Sequence, residues 1–217
     1  MTTAFASTAP GFTTSHPTTL LLLRCGVAAG PVFLAVGAAQ GLTRDGFDFG
    51  RNAISQLSLG AWGWIQMVNF VITAALLIAG ATGLRRALPN GGARRWAPPL
   101  VGAFGATFLI AAIFPVDPGA GFPADAPPAP TVTLSGPGTV HMVAASLGFV
   151  ALCVAFIVLA RPFAVAGHQG LALVCRIAPV VILAGLAASS VTVLAFTAGA
   201  AVALLCLSLV TARLSRR

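Results

Sequence analysis

Three polar clusters could carry chemistry in a chain that is otherwise strongly apolar. They are Arg51-Asn52 with Ser55-Gln56, then Asp117 within F-P-V-D-P, and then His141 within G-T-V-H. A guanidinium, a carboxylate and an imidazole at one edge of a membrane could bind a charged group or transfer a proton. One hypothesis is therefore a site in which Arg51 pairs with Asp117 and His141 senses or moves protons.

The same residues allow other interpretations. Ser55, His141 and Asp117 are the residue types of a hydrolytic triad, although no G-x-S-x-G elbow surrounds Ser55. An Asp before a proline, a His near a helix start and a Ser in a loop are also common helix caps, so a structural role stays open. Catalytic zinc takes three protein ligands, and this edge offers one His and one Asp. The sequence therefore predicts no metal, and no haem or other cofactor.

A second polar feature lies inside an apolar run. Gln66, Asn69 and Thr73 follow spacings of three and four, which places them on one helical face. Polar side chains on such a face typically hydrogen-bond to a neighbouring helix. Alternatively they could line a pore, but the other predicted helices present Gly and Ala faces. A small-molecule transporter is therefore the third functional hypothesis.

The composition assigns the chain to the membrane proteins. Of its 217 residues 58% are hydrophobic and 7% are charged, and the mean hydropathy is +0.96. The net charge of +8 comes from arginines at the ends of apolar runs, and no polar domain concentrates them. These charges are typical of topology signals, so the sequence predicts contact with a lipid bilayer and no nucleic-acid binding.

Six apolar runs predict an all-α bundle of six transmembrane helices, each long enough to cross a hydrocarbon core of roughly 30 Å. We expect the helices at about 20–42, 62–84, 98–116, 139–160, 171–189 and 193–214, with the last turn near Ser189 to Thr192. Residues 1–19 form a flexible tail in this prediction. Residues 118–138 hold six Pro and four Gly and are predicted to be a flexible external loop.

The arginines set the predicted orientation. Ten of them lie at one edge of the predicted bundle and only Arg44 and Arg51 at the other. Cytoplasmic segments carry the excess of Arg, so we expect both termini, with the tail, in the cytoplasm of a multi-pass plasma-membrane protein.

The quoted motifs resemble a known family. The run R-N-A-I-S-Q-L-S-L-G-A-W-G-W, then I-F-P-V-D-P, then G-T-V-H is similar to the six-helix bacterial and archaeal family called Domain of Unknown Function 998. The resemblance covers about residues 20–214, and the positions that match its pattern are Ser55, Asp117, Pro118, Gly138 and His141. Many members have Asp after the Ser, where this chain has Gln56, so an Asp-dependent mechanism loses one acid. The resemblance implies the fold and no reaction. More distantly, the layout is similar to the Frag/DRAM/Sfk group of six-span proteins linked to lipid handling.

The sequence favours a membrane binding or accessory protein over an enzyme. Its predicted ligand is a lipid head group or a small polar molecule. The predicted ligand-binding residues are Arg51, Asn52, Ser55, Gln56, Asp117 and His141. The alternative is an intramembrane hydrolase that uses Ser55, His141 and Asp117.

Overall fold

The computed structural model describes residues 12, 16–131, 133–189 and 191–216, which form six long helices. They are α1 (Pro17–Thr43), α2 (Gly63–Ala87), α3 (Gly92–Ile113), α4 (Gly136–Val165), α5 (Gln169–Ala188) and α6 (Val193–Ser215), and a short 3-10 helix covers Ile54–Ser58. Each long helix is long and apolar enough to cross a membrane. The protein is an integral membrane bundle of six transmembrane helices, as the sequence predicts.

The six helices form a closed ring in chain order. Each packs against the next one, and α6 returns to pack against α1. The two long connections, residues 44–62 and 114–135, lie at the same end of the ring, which we name the cap end. The opposite end holds the first residues of α1, the last residues of α6 and most of the arginines, and we name it the arginine end.

Glycine lets the helix backbones approach closely in the half nearer the arginine end. A Cβ atom added at Gly80 of α2 would lie 2.6 Å from the Cα of Gly26 in α1. One added at Gly30 would lie 2.8 Å from the Leu204 carbonyl oxygen of α6. Small residues at such crossings allow the dense van der Waals packing that holds helices together in lipid. Here α1 is therefore held tightly between α2 and α6.

The interior of this half is filled with large side chains. Leu23, Leu84, Phe156, Phe163 and Leu207 are all buried to 98% or more. They come from α1, α2, α4 and α6, so the centre of the ring is closed at this level. Any internal space has to lie nearer the cap end.

Helix α3 differs most from its predicted bounds. It begins at Gly92, six residues before the predicted start, and ends at Ile113, three residues before the predicted end. The early start places Pro98 and Pro99 inside the helix. The early end has a local cause, because a residue before proline disfavours the helical region and Phe114 precedes Pro115. Phe114 accordingly adopts an extended conformation.

The other bounds differ by smaller amounts. Helix α1 begins at Pro17, so it includes the last residues of the predicted 1–19 tail, most of which lies outside the described residues. Helix α5 ends at Ala188 and α6 begins at Val193, so the two helices lie on either side of the predicted turn. Helix α4 is longer at both ends because Ser135 caps it and it continues past Pro162.

Part of the loop at 118–138 forms a hydrogen-bonded turn. Ala120 donates a backbone hydrogen bond to the Ala129 carbonyl and Gly121 to the Pro127 carbonyl, both at 2.9 Å. Phe122 is 99% buried at the tip of this turn. Phe122 therefore packs this turn against the rest of the cap end, and the flexibility of the loop stays a prediction.

Candidate functional site

The ring of helices encloses a cavity of about 430 Å³ at the cap end. Six phenylalanines from five helices line its deep part: Phe33, Phe70, Phe104, Phe108, Phe149 and Phe196. The ring centroids of Phe33 and Phe108 lie 5.2 Å apart, edge to face, and those of Phe149 and Phe196 lie 5.6 Å apart. Such contacts hold aromatic side chains in fixed positions. The cavity therefore has a rigid apolar floor.

The mouth of the cavity is polar. Arg51, Ser55, Gln56, Asp117 and His141 all line it. Of the six residues predicted to bind a ligand, only Asn52 does not line the mouth, because it is fully buried beneath residues 119–120. The fold thus brings residues from the two long connections and from α4 around one opening.

Arg51 does not pair with Asp117. Its Nε donates to Asp48 Oδ2 at 3.0 Å, and both side chains are about half exposed. The partner is local because Asp48 and Arg51 lie in one turn, where the Arg51 N–H donates to the Asp48 carbonyl. The hydrogen bond from the Gly50 N–H holds the pKa of the Asp48 carboxyl below its usual value, and the hydrogen bond and charge of Arg51 lower it to a smaller extent. The predicted Arg51–Asp117 pair is wrong.

Asp117 instead organises the start of α4. Its Oδ2 accepts a hydrogen bond from the Ser135 N–H at 3.0 Å, and Ser135 Oγ accepts one from the Gly138 N–H. The carboxylate also lies against Gly138, where a Cβ would overlap it. A glycine is required at this position because the Asp117 carboxylate occupies the space of a side chain. Within the described part of the chain, the other carboxylate oxygen accepts no hydrogen bond.

His141 is almost fully buried and is oriented by the end of α3. Its Nδ1 lies 2.9 Å from the Phe114 carbonyl oxygen. A carbonyl can only accept, so Nδ1 carries the proton and Nε2 is the acceptor of the neutral ring. In a hydrolytic triad a carboxylate accepts the hydrogen bond from this Nδ1–H. Here a backbone carbonyl takes that place, while Asp117 bonds to Ser135.

Asn52 and Gln56 join the two long connections. Asn52 Nδ2 lies 3.4 Å from the carbonyl oxygens of Gly119 and Ala120, and Gln56 Nε2 donates to Gly119 at 3.2 Å. Gln56 Oε1 accepts from the Ala53 N–H. Both amides are therefore engaged in holding residues 119–120 over the 3-10 helix, and this contact forms the roof beside the cavity mouth.

Arg44 strengthens the same roof from the end of α1. Its two terminal nitrogens donate to the Leu57 and Leu59 carbonyls at 2.5 and 2.6 Å. The guanidinium carbon also lies 4.8 Å from the centroid of the Phe122 ring. Burial lowers the pKa of Arg44 from its usual value. One side chain thus fixes the 3-10 helix and the Phe122 turn to α1.

A separate amide cluster lies between α1 and α2. Gln66 Oε1 accepts from Gln40 Nε2 at 2.8 Å and from Asn69 Nδ2 at 3.2 Å, and Asn69 Nδ2 also donates to the Phe33 carbonyl. Because that carbonyl can only accept, it fixes the orientation of the Asn69 amide and then of the other two. Thr73 is fully buried on this face, and its hydroxyl has no hydrogen-bond partner in the described part of the chain.

Several important residues are not found by reasoning from the sequence. Gln40 is one, although an isolated Gln in the apolar run at 20–42 is a usable signal. Arg44 is another, because its charge is balanced by neighbouring acids in the sequence. The six cavity phenylalanines carry no signal, since periodicity does not distinguish a ring that faces lipid from one that faces a cavity.

The chain matches one known family. A family model described as "Protein of unknown function (DUF998)" matches residues 27–214, which include all of the cavity mouth and all of α2 to α5. No curated protein and no solved structure matches the chain. The more distant similarity to the Frag/DRAM/Sfk group stays a prediction.

Proposed function

We propose that this chain, which belongs to the DUF998 family of unknown function, is a membrane binding protein whose cap-end cavity holds an amphiphile. In this proposal the polar group of the ligand lies at the mouth, and its apolar part lies among the phenylalanine rings. The supporting observation is the polarity gradient of one cavity, which changes from charged and polar at its mouth to aromatic at its floor.

The size and lining of the cavity support a small amphiphile. Ligand pockets typically measure roughly 300–1,000 Å³ and are mostly apolar with a few placed polar groups. The cavity of about 430 Å³ has both properties. A wholly polar ligand would leave the phenylalanine surface unused, and a wholly apolar one would leave the polar mouth without partners.

The mouth residues have different roles in this proposal. Only Nε of Arg51 has a partner within the described residues, so its terminal nitrogens can donate to a phosphate or carboxylate. His141 Nε2 and the second oxygen of Asp117 can accept from a hydroxyl or ammonium group, and Ser55 can do either. Asn52 and Gln56 position the roof and do not themselves bind the ligand.

Filling the cavity tests the proposal. Ala200 lines the cavity from α6, whereas Ala75 of α2 is exposed on the outer surface of the ring. We expect Ala200→Phe to abolish the thermal stabilisation that single-chain amphiphiles give in detergent, while the unliganded protein stays folded. Ala75→Phe is the matched control and should keep the response. Equal responses from both variants to a panel with phosphate, carboxylate, ammonium and neutral head groups would contradict the cavity site.

The mouth can be tested separately. Asp117→Asn keeps an oxygen for the Ser135 N–H but removes the charge, and His141→Ala removes the imidazole. We expect both variants to change which head group stabilises best. If the ranking of head groups is the same as in the wild type, the polar mouth does not select the ligand.

A hydrolase is the second candidate, because Ser55 and His141 line the same cavity. Here His141 would act as the base and the Phe114 carbonyl would orient its ring. Labelling of Ser55 by a fluorophosphonate probe that depends on His141 would favour catalysis over binding. We expect no labelling under the binding proposal.

For the orientation we propose that the cap end faces outwards and that both termini are cytoplasmic in the plasma membrane. The distribution of arginines supports this. In a background without the four native cysteines, a membrane-impermeant thiol reagent on intact cells should label Ala124→Cys and not Gly92→Cys. Both positions are exposed, so the reverse pattern would overturn the orientation.

A further inference from the structure

The charges of the protein are separated between the two ends of the bundle. All four aspartates, Asp45, Asp48, Asp117 and Asp125, belong to the cap-end connections. The described arginines other than Arg44 and Arg51 lie towards the arginine end, and within the described residues that end has no carboxylate. Within the described residues, this end of the bundle therefore carries a net positive charge.

Two of these arginines line a groove between α5 and α6. The groove measures about 450 Å³, and its walls are residues 167–171 and the last turns of α6 with Leu209, Arg213 and Arg216. Neither arginine side chain forms an ion pair or a hydrogen bond within the described part of the chain. Guanidinium groups bind phosphate through two parallel hydrogen bonds, so an adjacent pair of them suits a phosphate group.

The apolar part of the groove indicates what carries the phosphate. Leu209 is 51% exposed and Leu171 is partly exposed beside the arginines. Leu209 lies one helical turn before Arg213 in α6, towards the middle of the bundle and therefore on the side that an acyl chain would occupy. Basic pockets between helices at the membrane surface are typical places for anionic lipid head groups.

We propose that this groove is a binding site for the phosphate head group of an anionic membrane lipid. Arg213 and Arg216 hold the phosphate, and Leu171 and Leu209 contact the first part of an acyl chain. The site is separate from the cap-end cavity and does not depend on the proposed function of that cavity.

The test measures binding of phosphatidylglycerol to full-length protein against a phosphatidylcholine background, by native mass spectrometry across a lipid titration. The double variant Arg213→Gln/Arg216→Gln should bind phosphatidylglycerol roughly 25-fold more weakly, about fivefold for each arginine. Arg94→Gln/Arg95→Gln removes the same charge at the same end and should change binding by less than about threefold. Equal losses from both variants would show diffuse attraction and overturn the site.

A second variant keeps the proposal testable if the arginine variant fails to fold. A Cβ at Gly170 meets nothing within 4 Å, so Gly170→Asp adds a carboxylate at the groove without a clash. An acid in the first turn of a helix stabilises it, so the fold should be kept while the phosphate is repelled. Unchanged phosphatidylglycerol binding by Gly170→Asp would overturn the site.

Two further measurements show whether the bound phosphate belongs to a lipid and whether that lipid binds in the groove or in the cap-end cavity. Millimolar inorganic phosphate should not displace phosphatidylglycerol, and full displacement would assign the groove to a free anion instead. Ala200→Phe, which fills the cap-end cavity, should leave phosphatidylglycerol binding unchanged. If it removes the binding, the lipid is in the cavity and the groove proposal is wrong.

Discussion

In the arginine-end half of the bundle, helix backbones meet at glycines and large aliphatic and aromatic side chains close the centre. In the cap-end half, phenylalanines from five helices surround an open cavity with a polar mouth. Both halves belong to the same six helices. The difference lies in which residues meet between α1 and α2, because Gly26 and Gly80 bring backbone atoms into contact whereas Phe33 and Phe70 meet through their rings, with centroids 5.8 Å apart.

This contrast indicates that substitutions in the two halves should have different effects. A change at a glycine contact should lower the stability of the fold, because no space exists to accept an added atom. A change at the cavity should alter ligand binding with a smaller effect on the fold.

The largest effect is expected for Gly80→Ala. The added methyl would lie 2.6 Å from the Cα of Gly26, and backbone atoms cannot move aside as a side chain can. We expect a loss of about 1–3 kcal/mol in the free energy of unfolding. Gly102→Ala is the matched control, because its Cβ would lie 3.8 Å from the Cβ of Ala81, an ordinary contact. Similar melting temperatures for the two variants in detergent would show that the α1–α2 contact is not tight.

The amide cluster joins α1 and α2 in the cap-end half, and its loss should have the next largest effect. Gln66→Leu removes the acceptor shared by Gln40 and Asn69, and we expect it to cost about 1–2 kcal/mol. Thr73→Val removes a buried hydroxyl that has no partner in the described part of the chain, so its stability should be equal to or higher than that of the wild type. A marked loss from Thr73→Val would mean that the hydroxyl is hydrogen-bonded, for example to a buried water.

The fold could be predicted from the sequence because the number of transmembrane helices depends on the length of each apolar run and on the turns between them. Each apolar run is long enough for one crossing, and the turns between them contain Pro, Gly and Arg. The errors are also local. The end of α3 at Ile113 could have been predicted from Pro115. Its start at Gly92 could not, because the sequence does not show that the helix includes Pro98 and Pro99.

The candidate site could be predicted only in part. Motif positions and depth in the membrane indicated that Ser55, Asp117 and His141 lie near one edge, and the structure brings all three to one cavity. The pairing of Arg51 failed because a turn places Asp48 beside it, and sequence distance alone does not show such a turn. The cavity could not be predicted, because it depends on the direction in which each phenylalanine points.

A smaller effect is expected at the roof of the cavity. Arg44→Lys removes the planar group that bonds two carbonyls and stacks on Phe122, and we expect it to cost about 1 kcal/mol. Arg51→Lys keeps a charge near Asp48 at an exposed position and should change stability by less than about 0.5 kcal/mol. Chemical denaturation of both variants in detergent provides the comparison. A larger loss from Arg51→Lys would reverse the roles assigned to these two arginines.

The smallest effect is expected for Asp48→Asn, and it should depend on pH. The pKa of the Asp48 carboxyl is lowered from 3.8, mainly by the Gly50 N–H and then by Arg51. A lowered pKa means that the charged form stabilises the folded state, so the contribution is fully present above pH 3.8 and is lost as the pH falls below it. We therefore expect a small difference in melting temperature between wild type and Asp48→Asn near neutral pH that shrinks below pH 3.8. Asp125→Asn removes a charge from an exposed loop position and controls for the change in net charge. A difference that grows as the pH falls would show that the Asp48 carboxylate destabilises the cap-end turn, contrary to the hydrogen bonds around it.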